Sequence, residues 1–457
     1  MKTSAYLVLL AIGALTGPAQ AAPWRAQDAL GLPVWLSLEG AFRARYETLG
    51  PQYRASHTGS DQVFVTRTTL KAGLHYGEFS LVGEMIDSRA ALDDNGSFLN
   101  TTVVNPVELL QGYVQWRPRE LLLAGDASDI RVGRFTMDVG SRRFVARNRY
   151  RNTVNAFTGI DWQWHAADGR ELRAFFTLPV NREPNTFAAL RDNDIEFDAE
   201  DSDVKFWGLV AAAVWQENDH VEVFYFGLDE DDSSTRSTRN RDLSTIGVRL
   251  YRGPRAGHVD YEFETAFQFG ASRSSTAATN TRDLDHFAHF HHAEVGYSFS
   301  ASWQPRLVAQ YDYASGDDNP ADRDYERYST LYGARRFDFG PTGIYGPFAR
   351  ENLNTPGLRV EVRPAAQLSG FLAWRGYWLA SDRDAWTTAG IVDPSGRTDS
   401  FIGHQAEMAV RYDVAPGNVR LEGGFAYLFA GDFMDEAPNS RRQGDVTYAY
   451  TQIALTF

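Results

Sequence analysis

Residues 36–47 read Leu-Ser-Leu-Glu-Gly-Ala-Phe-Arg-Ala-Arg-Tyr-Glu, and their two-residue period sets the fold class. Leu36, Leu38, Phe42, Ala44 and Tyr46 share one face; Ser37, Glu39, Arg43, Arg45 and Glu47 share the other. An extended strand puts alternate side chains on opposite faces in this way. The pattern returns at 259–269, where Val259, Tyr261, Phe263, Phe267 and Phe269 oppose Asp260, Glu262, Glu264 and Gln268. It returns again at 405–413, with Ala406, Met408, Val410 and Tyr412 set against Gln405, Glu407, Arg411 and Asp413. About eighteen such segments succeed one another from Val34 to Phe457.

The links between them alternate in length. Those after odd-numbered segments are long: 48–61, 90–107, 136–156, 181–203, 230–241, 271–286, 315–355, 381–402 and 430–445. Those after even-numbered segments are mostly tight, such as Gly77-Glu78, 216–218, 300–302 and 415–417. A soluble sandwich has no reason to gather its long loops at one end. An all-β, up-and-down antiparallel barrel in a bacterial outer membrane does, because short turns face the periplasm and long loops face outward. Segments of about 9–13 residues cross the hydrocarbon layer when tilted. In lipid, only closure satisfies every backbone N–H and C=O, and an even count returns both ends to the periplasmic side. With about sixteen to eighteen strands the lumen is too wide for side chains alone to fill, so an aqueous channel is expected. The weakest alternation lies in the fifth segment, Ile130 to Arg134, and the fourteenth, Leu358 to Arg363.

The two ends agree with export to that membrane. Residues 1–21 read as a signal peptide: Lys2, an apolar stretch from Tyr6 to Leu15, then Ala19-Gln20-Ala21 as cleavage site. Residues 22–457 are then one barrel domain. With no cysteine the fold cannot depend on disulfides. Aromatic residues make up 13% of the chain, as girdles at both membrane interfaces would require. The last strand, Thr451 to Phe457, alternates and stops on an aromatic, like the insertion signal of bacterial outer-membrane barrels.

The formal net charge of −14 does not define the pore. A constriction feels nearby charges, screened within roughly 8–10 Å at ordinary salt. Acids gather in loop tracts such as 197–203 and 229–232, which read as solvated loop or as contacts for divalent ions and lipopolysaccharide. Basic charge is almost wholly arginine, since Lys2, Lys71 and Lys205 are the only lysines. Seven arginines (131, 134, 142, 143, 147, 149 and 151) crowd one stretch against a single acid, Asp138. The planar guanidinium fork grips carboxylates and stays charged at any relevant pH. An arginine-lined narrowing therefore favours anions, carboxylated chains above all. Alternation also places Arg45, Arg67, Lys71, Arg359 and Arg363 in the lumen, where pairing with Glu39, Glu84, Glu262, Glu361 or Glu407 would instead brace the wall. If Ile130 and Val132 face lipid, Arg131 faces the lumen, and Arg134 does not unless the strand ends or bulges at Gly133. The link 315–355 is long enough to fold inward as a constriction; its Asp317, Asp318, Asp322 and Asp324 offer Ca²⁺ ligands in no stringent spacing.

The same basic stretch carries a family resemblance. Gly133-Arg134-Phe135, Gly140-Ser141-Arg142-Arg143-Phe144-Val145, Arg151-Asn152-Thr153 and Phe157-Thr158-Gly159 resemble the motif run of the alginate-export family of outer-membrane barrels. Tyr311 to Asp317 and Phe429 to Phe433 add to the likeness, while Phe135 and Thr158 depart from the usual Gln and Asp. The resemblance implies an eighteen-stranded barrel whose electropositive lumen passes an anionic polysaccharide, alginate, with Arg134, Arg143 and Arg151 at the family's basic positions. Arg131, Arg142 and Arg147 complete the expected track. The expected partners are an anionic polysaccharide or small anions, outer-membrane lipid and lipopolysaccharide, and periplasmic export machinery, around a monomeric barrel.

Two other classes share parts of this pattern. An enzyme would need a placed nucleophile; His286, His289, His291 and His292 form the most suggestive cluster, and an interfacial histidine belt explains them without catalysis or a bound metal. No enzyme activity, cofactor or nucleic-acid partner is expected. The nearer rival is a diffusion porin for small anionic or carboxylated solutes or for sugars, which would share the barrel, the basic narrowing and the long loops.

Overall fold

The computed structural model describes residues 22–233 and 236–457; the expected signal peptide lies outside the described residues. Of twenty strand segments, two are only two residues long, and the other eighteen form the wall of a barrel. Each wall strand is antiparallel to the next, and the first, Leu36–Gly50, pairs with the last, Val446–Thr456, so that Arg43 opposes Ala454 and Glu47 opposes Tyr450. That pairing removes both sheet edges, which is what hydrocarbon demands of a β-structure.

The nine long links, 51–60, 92–104, 136–156, 182–203, 231–241, 273–283, 315–352, 379–400 and 431–445, all leave one end of the barrel. Most links at the other end are tight turns. The longest is 117–126, where Asp126 accepts the N–H groups of Leu121, Leu122 and Leu123 at 2.8–2.9 Å and folds ten residues into a compact knob. The fifth strand runs from Ala127 to Phe135 and the fourteenth from Leu353 to Ala365, both longer than their alternation predicts. Pro356-Gly357 near the start of the fourteenth breaks the apolar rhythm without breaking the ladder, whose register from Leu353 to Glu361 is continuous.

Parity assigns the two faces. Val132, Ile160 and Phe176 lie side by side across three strands. They are 54%, 47% and 49% exposed, an apolar surface that only lipid covers comfortably. Tyr76, Phe79, Trp215 and Trp303 project at the short-turn end, where an interfacial aromatic girdle belongs.

Inside, links rather than wall side chains narrow the lumen. Phe144, from the link 136–156, packs on Phe224 at 4.9 Å and on Phe290 at 6.1 Å between ring centres. Phe348, from the link 315–352, stacks on Tyr377 of the wall and lies 5.8 Å from Trp386. The two inward links are hydrogen-bonded to each other: Tyr332 N–H donates to the Phe144 carbonyl at 2.9 Å and Ala334 N–H to the Arg142 carbonyl at 2.9 Å. Together they make a septum across the barrel. The contact needs a glycine, since a Cβ on Gly333 would stand 1.7 Å from the Arg143 carbonyl oxygen. Gly333→Val is expected to force the two links apart at a cost of about 1–3 kcal/mol, the usual range for overpacking. A thermal melt of the refolded variant should show a lowered Tm; an unchanged Tm would mean the links are not held by this contact.

Candidate solute-binding vestibule

Inward parity and the septum together enclose a cavity of about 1000 Å³ on the short-turn side. Its ceiling is Arg142, Arg147, Tyr150, Arg336 and Phe337 of the septum; its mouth is formed by 254–256 and Phe299 at the turns. Twelve arginines line it, against two glutamates, Glu361 and Glu422. Arg43, Arg67, Arg359, Arg363, Arg411 and Arg420 come from wall strands, where each takes an inward position in the alternation.

Seven of the twelve are ion-paired. Arg336 meets Glu407 at 2.7 Å, Arg411 meets Glu422 at 2.7 Å and Arg147 meets Glu84 at 2.6 Å. Arg149, Arg306, Arg359 and Arg420 also have carboxylate partners. The other five, Arg43, Arg67, Arg142, Arg255 and Arg363, have no carboxylate oxygen within 4.0 Å among the described residues. Arg43 and Arg67 act as clamps. Arg43 donates to the carbonyls of Arg149, Tyr150 and Arg151 at 2.9–3.0 Å, and Arg67 donates to the Arg151 carbonyl at 3.0 Å. Arg142 lies over the Phe337 ring at 5.1 Å, with its guanidinium bordering the cavity.

Arg143 faces the other way and is nearly sealed, with 3% of its side chain exposed. It donates to Glu264 at 2.8 Å, to Asp338 at 3.1 and 3.2 Å, and to Glu262. Burial opposes its charge, and Asp338, Glu262 and Glu264 outweigh that, holding its pKa well above the ordinary guanidinium value. Asp338 also pairs with Arg350, and Asp312 joins the network through His292 at 2.7 Å and Arg375 at 2.6 Å. His292, Asp312 and Asp338 are close enough to share a metal ion, but guanidinium groups already compensate both carboxylates.

Residues 34–447 match the family model for alginate export. The chain belongs to the alginate export family. No curated protein matches this family member in sequence. Among solved structures it is similar to OpdQ of Pseudomonas aeruginosa, with 14% identity and a TM-score of 0.57 over 92% of this chain and 98% of that one. It is also similar to P. aeruginosa OccK2 (OpdF), solved in complex with glucuronate, with 12% identity and a TM-score of 0.58 over 92% and 96%. A BenF-like porin from Pseudomonas fluorescens Pf-5 superposes with a TM-score of 0.60 at 11% identity, over 92% and 98%. At such identities the likeness is one of fold: an outer-membrane barrel of the porin type. The alginate-export-family chain therefore resides in the bacterial outer membrane.

The three arginines at the family's basic positions do not line the vestibule. Arg134 shares the outward parity of Val132 and is held at the long-loop rim by Glu108 and Glu200, each at 2.8 Å. Gly133 has a positive φ of 130° yet leaves the register unbroken, so no bulge turns Arg134 inward. Arg143 is the buried hub. Arg151 is half-buried, and burial with the charges of Arg335 and Arg182 presses its pKa well below the ordinary value. Arg45 is enclosed against Glu47 at 2.8 Å and the Tyr150 carbonyl at 2.8 Å. Arg131 pairs with Asp161 in the wall, and Lys71 sits 3.7 Å from Glu39 at the exposed turn end. Arg67, Arg142, Arg147, Arg359 and Arg363 do border the cavity.

The histidines divide by parity. His289 and His291 are partly exposed and touch through their ring nitrogens at 3.0 Å beside Tyr313. His286 and His292 point inward and are buried. Asp317 is buried while Asp318, Asp322 and Asp324 are exposed, and among the described residues no three of these four converge on one ion position.

Proposed function

We propose that this barrel passes an anionic polysaccharide of the alginate class across the outer membrane, and that the vestibule is where the chain is gathered on the periplasmic side. The observation that carries this reading is the lining: twelve arginines against two glutamates, five of the arginines without a carboxylate in ion-pair range among the described residues. Gathering so much like charge around one cavity is unfavourable unless an anion shares the space. Guanidinium forks suit carboxylates in particular, and a polyuronate presents one at every ring. The cavity of about 1000 Å³ has room for several rings at once. The septum is then the narrowing that a chain must thread. The family and the similar barrels are channels and porins, so the reading is of a conduit rather than a catalyst.

A second reading rests on one of the similar structures, OccK2, solved with glucuronate, a single uronate. Under it the barrel is a diffusion porin for small carboxylates. Single-channel recording with uronate oligomers of increasing length, added on the short-turn side, separates the two. A polymer conduit gives blocks that lengthen with chain length, and none with neutral dextran. Blocks that occur only with monomers and dimers would favour the porin; no block by any uronate would sink both.

A further inference from the structure

A second cavity, of about 240 Å³, lies on the opposite side of the septum, at the long-loop end. Wall residues Glu230, Ser272 and His286, with Arg241 at the end of the link 231–241, close one side of it, and 325–329 of the inward link close the other. Four arginines line it, and two are already matched: Arg241 by Glu230 at 2.7 Å, Arg327 by Asp384 at 2.8 Å. Arg236 and Arg239 have no carboxylate within 4.0 Å among the described residues, and Arg239 uses one donor on the Tyr325 hydroxyl at 2.9 Å. With Glu351 also in the lining, one positive charge is left over.

Two polar side chains in this lining, His286 and Tyr328, have unpartnered polar atoms among the described residues. His286 is 4% exposed, and among the described residues neither of its ring nitrogens has a hydrogen-bond partner. The Tyr328 hydroxyl, equally enclosed, has none either. A buried polar group without a partner costs about 1–3 kcal/mol, and native proteins keep such groups where something else completes them. A cavity of this size takes about eight waters at ~30 Å³ each, or one six-membered sugar acid.

We infer that this outer cavity is a binding site for a single monocarboxylated sugar, its carboxylate on Arg239 and Arg236 and its hydroxyls on His286, Tyr328 and Ser329. The site lies apart from the vestibule, and its occupancy does not depend on whether a polymer passes the barrel. It gives the outer end of the lumen a selectivity of its own, for one charge and one ring.

The test is isothermal titration of the refolded barrel in detergent with D-glucuronate, D-glucose and acetate as probes. Wild type should bind one glucuronate more tightly than glucose or acetate. Arg239→Gln should weaken that binding by about tenfold or more, the loss of a charge-assisted hydrogen bond. His286→Leu should weaken it too, and His286→Gln should restore part of it. In the vestibule variant Arg142→Glu/Arg363→Glu, which weakens uronate held in the vestibule, glucuronate bound at the outer cavity should keep its dependence on Arg239. Glucuronate affinity unchanged in Arg239→Gln, or lost only in the vestibule variant, would overturn the inference. Equal weak heats from all three probes would mean that the cavity holds water alone. Arg239 lies on a link, so this arm stands even if substitutions at His286, inside a strand, impair folding.

Discussion

Arg143→Ala should loosen the septum, producing a channel with higher and noisier conductance and a barrel that melts at lower temperature. The guanidinium is the shared partner of Glu262 and Glu264 on the wall and of Asp338 on the inward link. Truncation leaves these carboxylates close together with less compensating charge; Arg350 still holds Asp338 and Arg249 still holds Glu262. Breaking a buried pair by removing one partner costs about 3–5 kcal/mol. The inward link is the part that can relieve this by moving, because Glu262 and Glu264 belong to a strand paired on both sides. Arg143→Lys should rescue little, since one ammonium cannot reproduce a fork that meets three carboxylates. Wild-type conductance and Tm in Arg143→Ala would show that the septum is held by its apolar contacts alone, through Phe144 and Phe348.

Reversing charge at three unpaired vestibule positions, Arg142→Glu, Arg255→Glu and Arg363→Glu, should weaken block by oligouronates and move ion selectivity toward cations. Among the described residues none of the three has a carboxylate in ion-pair range, so reversal changes the field without breaking a pair. At a distance of ~10 Å in water each unit charge acts on a carboxylate with about 0.4 kcal/mol. Six units of change, screened over a Debye length of ~8 Å, leave roughly 0.7 kcal/mol per bound carboxylate. A chain with several carboxylates in the cavity multiplies that effect, so long oligomers should lose far more affinity than the monomer. At 1 M salt, where the Debye length is ~3 Å, the difference from wild type should nearly vanish. Equal loss for monomer and oligomer, or a loss insensitive to salt, would mean that the arginines act by shape or local contact and not by their summed field.

Much of this architecture can be read from alternation. Strand identity follows from the parity of residues such as Leu36 and Arg43, and the end at which loops gather follows from link lengths alone. The fifth and fourteenth strands are harder because Gly133 and Pro356-Gly357 interrupt the pattern where the backbone ladder continues. Site roles are less legible. Parity within a strand already sets Arg134 outward with Val132, and the family motif points the other way. Arg143 looks free of acids in its own stretch, yet Glu262, Glu264 and Asp338 reach it from more than a hundred residues away. Arg255, Arg306, Arg336, Arg411 and Arg420 border the vestibule although they carry no motif. Inward parity would have found Arg411, while Arg336 depends on how a 38-residue link folds, which no local pattern encodes.

The reversal potential of the wild-type barrel in a planar bilayer, under a KCl gradient at low ionic strength, tests the central claim most directly. A vestibule with this lining predicts clear selectivity for chloride over potassium, fading as salt is raised. Selectivity for potassium would contradict it and leave the barrel without a basis for attracting a polyanion.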